Sequence, residues 1–211
     1  MTKMLPGRTL LRIGAMLTLL AGLARGQENA AAGTWGFVNV RYDSRSSSSI
    51  YTGYGWHRAF AMGGVVHNPR SGYSELLGGV GFTLKTGAHA DHWLAVASAR
   101  AGEVSLAQMF WLPTVRTGVV TTRANVKWTV AYEGRAAQKL TIAPVSITLP
   151  VARRLSSGVA VDVQAAERAR PAISMGPQLR LKLPRASLAA DGLHDVTGNA
   201  SRLRLFFASA F

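Results

Sequence analysis

No cysteine occurs in the 211 residues. The chain therefore offers no thiol for a lipoprotein anchor and no disulfide framework, so packing and backbone pairing must hold it together. Acidic residues are scarce as well. Ten Asp and Glu stand against 24 Lys and Arg, giving a formal net charge of +14, a balance that points to nucleic acid, anionic lipid or an anionic solute as partner. Also lacking is an apolar run of about 20 residues, the length a membrane-crossing helix needs. No long stretch of helical periodicity is visible, and no internal repeat at a solenoid-like period.

What is present starts with residues 1–26. Lys3, Arg8 and Arg12 form a basic start, an apolar run covers 13–24, and Ala24-Arg25-Gly26 sets small residues at the two positions a signal peptidase reads. This predicts a cleaved leader and export, which argues against a nucleic-acid partner. The leader's Lys3, Arg8, Arg12 and Arg25, with no acid, account for four charges, so the rest carries +10. About 185 residues then remain, one domain's worth: a short segment over 27–33 and a single domain over 34–211. This part is rich in Gly, Val, Thr and aromatics, which favours strands.

Apolar and polar residues alternate along it in ten segments, approximately 34–43, 55–67, 73–85, 92–100, 103–112, 119–132, 139–151, 158–165, 172–183 and 201–211. Most reach the roughly 9 to 11 residues a tilted strand needs to cross a bilayer. Turn-forming residues such as Asn68-Pro69-Arg70-Ser71-Gly72, Thr86-Gly87 and Ala101-Gly102 separate them. In the sixth segment Val120, Ala124, Val126, Trp128, Val130 and Tyr132 take one face, and Thr121, Arg123, Asn125, Lys127 and Thr129 the other. The ninth sets Ile173, Met175, Leu179, Leu181 and Leu183 against Ser174, Gln178, Arg180 and Lys182. A soluble antiparallel sheet would alternate too, so this pattern alone does not separate a barrel in lipid from a sandwich.

The last ten residues, RLRLFFASAF, sharpen the reading. Leu203, Leu205, Phe207 and Phe211 share one face while Arg202 and Arg204 take the other. This ending resembles the C-terminal assembly signal of bacterial outer-membrane β-barrel proteins, Ser209 being a mild departure. The resemblance, joined to the leader, implies an all-β, antiparallel, up-and-down transmembrane barrel in the outer membrane, its apolar face toward lipid and its polar face toward the lumen. It implies as partners the outer-membrane lipids, lipopolysaccharide and the barrel assembly machinery. Ten strands bring both chain ends to the periplasmic side, with the long connections 44–54 and 184–200 outside; eight strands result if the first and fourth segments do not cross. Arg58 and Arg100 fall on the lipid-facing phase close to strand ends, where long basic side chains reach the headgroups. Pro144 and the phase slip around it predict a β-bulge; Pro177 is a second unusual residue for a paired strand. Of the aromatics, Trp35 and Trp111 fall on the inward phase.

The basic lumen is expected to consist of Arg41, Arg123, Lys127, Arg180, Lys182, Arg202 and Arg204, joined by Lys85, against Glu75, Glu103 and Asp162. A narrow barrel is usually filled by its own side chains. The preferred reading is thus a plugged structural barrel whose outer Arg45, Arg116, Arg153, Arg154 and Arg185 engage lipopolysaccharide phosphates. The alternative is a narrow anion-selective pore or binding cavity for a small anionic solute; an outer-membrane hydrolase and a secreted soluble β-protein are further alternatives. Two histidine groups, His89-Ala90-Asp91-His92 and His194-Asp195, read as solvated loop residues, and nothing local matches the Ser-His lipid A deacylases or the Asp/His proteases of outer membranes. No catalytic residue, metal ligand or cofactor is assigned. Deleting Phe211 is expected to lower the amount of assembled barrel, measured as loss of the fast-migrating unboiled band on a gel; unchanged levels would contradict the assembly-signal reading.

Overall fold

The structure is a computed structural model that describes residues 33–45, 47–132, 138–167 and 169–211. The leader predicted over 1–26, and all but Gly33 of the 27–33 segment, lie outside the described residues. Among the described residues there are twelve strands: β1 (Thr34–Asp43), β2 (Ser48–Trp56), β3 (Ala59–Asn68), β4 (Tyr73–Thr86), β5 (Ala90–Ala101), β6 (Val104–Thr117), β7 (Val120–Ala131), β8 (Gln138–Pro150), β9 (Leu155–Ala166), β10 (Ala172–Lys182), β11 (Ala186–Asp195) and β12 (Ala200–Ala210). Each pairs antiparallel with its chain neighbour, and β1 also pairs with β12, so the sheet closes. At the seam the Gly36 N–H donates to the Phe211 carbonyl at 2.6 Å, and the Phe211 N–H to the Gly36 carbonyl at 3.0 Å.

Twelve strands correct the expected ten and exclude eight. The first and fourth segments are real crossings, β1 and β5. The two supposed long connections, 44–54 and 184–200, each hold a further strand, β2 and β11. The reason for β2 is steric. Its inward positions include Gly53 and Gly55, because any side chain there would collide with the rings of Phe37 and Trp35, so two of its inward positions carry no side chain and its alternation is muted. Adding β2 reverses the direction of every strand from β3 to β10, and adding β11 restores the direction of β12. Arg58 accordingly sits in the tight turn between β2 and β3 rather than within a strand.

The predicted bulge is present. The β8–β9 register shifts between Ile142 and Val145, across Ala143-Pro144, and the outward face passes from Leu140 and Ile142 to Ile147 and Leu149. Pro177 lies within the β9–β10 ladder opposite Val159, its side chain outward. Arg100 is outward at the end of β5 and donates through Nε to the Gly102 carbonyl at 3.1 Å. Trp111 corrects the expectation of an inward side chain: it is 44% exposed on the outer face of β6. Trp35 is inward as expected.

Apolar residues cover the outside, and buried charged and polar residues share the inside with an apolar cluster, unlike a water-soluble protein. Leu76 is 66% and Leu179 52% exposed, whereas Arg204, Gln178 and Asp191 are fully buried. Connections are short at both ends, and there is no room for a large apolar core other than the lumen. Gly176 faces inward where the Gly192 carbonyl oxygen occupies the position of a Cβ. Gly176→Ala should therefore destabilise the barrel by about 1 to 3 kcal/mol, measured as a lower urea midpoint after refolding into vesicles. Gly192→Ala, whose Cβ would meet only the Pro177 ring at 3.8 Å, should be tolerated.

Candidate functional site

The lumen holds two packed regions and, between them, a cavity. At the end where Thr34 and Phe211 meet, the terminal end, inward side chains from β1, β3 and β5 form an aromatic cluster. Trp93 lies 5.1 Å from Trp35, 5.2 Å from Phe37 and 5.6 Å from Phe60, centroid to centroid. These rings continue into a buried apolar stack of Leu77, Ala95, Ala97, Leu106 and Phe110.

Across the barrel, β9 to β12 carry a network of ion pairs. Arg204 donates to Asp191 Oδ2 through Nη2 at 2.7 Å and through Nε at 3.0 Å, and its Nη1 bonds Asp162. Asp162 Oδ2 also accepts from Arg202 at 2.7 Å, and Gln178 donates to Asp191 Oδ1 at 2.6 Å. Arg202 reaches Asp43 of β1 at 3.6 Å, so the network spans the closure seam. A second group centres on Glu75 of β4, which accepts from Lys127 at 3.0 Å, from Gln108 at 2.9 Å and from the Tyr73 hydroxyl. Charges this buried are tolerated because each of these carboxylates meets at least one cation, although Asp162 Oδ1 finds no hydrogen-bond donor.

All seven predicted lumen cations lie on the inward phase, with Lys182 exposed at the terminal rim. Their counter-charges differ from the expectation. Glu103 is in a turn and not in the lumen. Asp191 escaped sequence reading because Asp191-Gly192 has the composition of a turn, although it is the main partner of Arg204. The acids are used up within the two networks, while Arg41, Arg123 and Arg180 form no ion pair among the described residues. Arg123 donates to the Thr148 hydroxyl at 3.4 Å and Arg180 to the Ser187 hydroxyl at 3.3 Å. Buried Nε groups of Arg41 and Arg180 find no acceptor.

These cations border a cavity of about 250 Å³. Arg41, Arg123, Lys127 and Arg180 all line it, and among the described residues no carboxylate does. A site of this kind can hold or pass an anion, since opposed positive side chains in a low-dielectric wall raise the local potential. Sequence reading found its cations but not its walls, for the aromatic cluster is assembled by strands distant in the chain.

The five arginines expected to share one outer surface do not share an end. Arg45 is in the β1–β2 turn, at the end away from the termini. Arg116, Arg153, Arg154 and Arg185 are at the terminal end, a consequence of the strand added by β2. The histidine groups also separate. Asp91 points inward and pairs with Arg116 at 2.7 Å, whereas His92 is outward and stacks on Trp111 at 6.2 Å. His194 Nδ1 lies 3.1 Å from the Ser201 hydroxyl on the outer wall, and Asp195 instead accepts from the Thr197 and Gly198 N–H groups. Among the described residues no three His, Asp or Glu converge as metal ligands.

Of the assembly-signal residues, Leu203, Leu205 and Phe207 are outward on β12, and the Phe211 ring covers Gly36, where a side chain would collide with it. Removing Arg204 would leave the buried Asp191 without a cation and Asp162 with Arg202 alone. Arg204→Met should cost about 3 to 5 kcal/mol, read from urea unfolding in vesicles, and Asp162→Asn with Asp191→Asn in the same chain should recover much of the loss.

No protein-family model matches the sequence, and no curated protein does. Solved structures do. The KdgM porin in complex with disordered oligogalacturonate superposes with a TM-score of 0.59 at 8% identity, covering 84% of this chain and 99% of that one. The NanC porin does so with a TM-score of 0.54 at 10% identity, covering 83% of this chain and 98% of that one. The chain has the closed antiparallel barrel fold of outer-membrane porins.

Proposed function

We propose that this protein is an outer-membrane barrel whose lumen binds and passes anions, a narrow anion-selective pore. The single observation that carries the reading is the cavity lined by Arg41, Arg123, Lys127 and Arg180 without a carboxylate. Three of those four cations are left uncompensated by the ion-pair networks, so the field they set up acts on whatever enters. The apolar exterior supports insertion in lipid, and the fold shared with porins supports the outer membrane. One of those porins is described in complex with oligogalacturonate, an anionic sugar oligomer, in keeping with a positive lumen.

With short turns and the C-terminus toward the periplasm, Arg116, Arg153, Arg154 and Arg185 form a basic periplasmic mouth. Contact with lipopolysaccharide phosphates then falls to Arg45 and Arg70 at the outer rim; Arg70 donates to the Ser44 carbonyl at 3.3 Å and so ties the two turns together. A plugged structural barrel is the second reading, favoured by the ring cluster of Trp35, Phe37, Phe60 and Trp93 at the terminal end.

Planar-bilayer recording separates the two. In a potassium chloride gradient the refolded protein should give steps whose reversal potential shows chloride as the main carrier. The double variant Arg123→Gln, Arg180→Gln should bring the chloride-to-potassium ratio down severalfold. Absence of any resolvable step supports the plug, and cation-selective steps overturn the anion reading.

A further inference from the structure

The cavity is lined by rings as well as by cations. Phe37 on β1 and Phe206 on β12 contribute two of the rings, and the arc of strands β2 to β6 contributes Tyr51, Phe60, Trp93 and Phe110. Its cations come from elsewhere: Arg41 on β1 and Arg123 on β7 stand at the two ends of that arc, and Arg180 on β10 lies across the barrel from it. An occupant is thus offered a ring-lined wall along that arc and, beyond it, guanidinium donors with the Phe37 and Phe206 rings among them. Lys127, held by Glu75 and placed 5.5 Å over the Phe110 ring, is already committed to that wall.

Two simple classes of ligand match this arrangement poorly. A strongly hydrated inorganic or sugar anion would satisfy the arginines and leave the aromatic wall wet. A neutral hydrocarbon would cover the wall and leave the Arg41 and Arg180 Nε groups without an acceptor, at the cost of burying unpaired donors. An amphipathic carboxylate does both, presenting two oxygens to guanidinium forks and an apolar body to the rings. Size agrees: about 150 Å³ lined by apolar side chains accommodates benzene, so a cavity of about 250 Å³ has room for a phenyl ring with a short acid arm.

We propose that the cavity is a binding site for small amphipathic monoanions, aryl or short alkyl carboxylates, with the apolar body against Tyr51, Phe60, Trp93 and Phe110 and the carboxylate at Arg41, Arg123 and Arg180. This rests on the anion-selective reading above and narrows it to a ligand class.

The test uses phenylacetate, acetate, galacturonate and 2-phenylethanol on the refolded protein. Chloride current through bilayers and calorimetric titration in detergent micelles are measured in parallel, so that a non-conducting preparation still gives an answer. Phenylacetate should half-block the current, or half-saturate the heat signal, at a concentration about tenfold or more below that of acetate, since it takes a phenyl ring out of water. Phenylethanol should do neither, and Arg180→Gln should weaken phenylacetate severalfold. Acetate or galacturonate acting as strongly as phenylacetate overturns the proposal, as does phenylethanol acting equally. Intact chloride selectivity with no phenylacetate binding overturns this proposal alone. Loss of chloride selectivity takes down the underlying reading instead.

Discussion

Closure of β1 on β12 is the constraint on which everything else depends. An open sheet would leave two edges of unpaired N–H and C=O groups, costly wherever water is absent. Once the ladder closes, each strand's two faces are assigned without choice, one outward and one into a confined lumen. The Phe211 ring over Gly36 sits at this seam, so the residues read as an assembly signal occupy the place where the last backbone bonds form. The ion pair from Arg202 to Asp43 crosses the same seam from inside, and closure is thereby supported on both faces of the wall.

Closure also decides the electrostatics. Charged side chains driven into the lumen must be compensated there, and they are compensated unevenly. Arg204 with Asp162 and Asp191, and Lys127 with Glu75, use up the inward acids of the middle of the barrel. Inside the lumen the surplus of basic residues is therefore localised as a few guanidinium groups around one cavity, and further basic residues stand at the two rims. Where the inward acids are paired off, the unpaired guanidinium groups are left together around one cavity.

How much of this could be read in the sequence depended on whether a strand's own residues carry the alternation. In β7 and β10 charged and apolar side chains alternate so cleanly that phase, lumen residues and boundaries were all legible. The bulge in β8 was legible too, since Pro144 cannot donate and the apolar phase slips beside it. β2 was not, because its inward glycines are dictated by rings on β1, and β11 was not, because Asp191-Gly192 imitates a turn. Those two omissions left the C-terminal strand correct while exchanging the ends of everything between, which is how Arg116, Arg153 and Arg154 were expected at the end away from the termini. The cavity's mixed character was illegible for a further reason: its walls are built from residues as far apart in the chain as Phe37 and Ala208.

The described turns at both ends of the barrel are only a few residues long. None of these described turns is long enough to fold back inside, so among the described residues what fills the lumen belongs to the wall itself. Any selectivity of such a lumen would then be set by side chains fixed on the strands rather than by the motion of a flap.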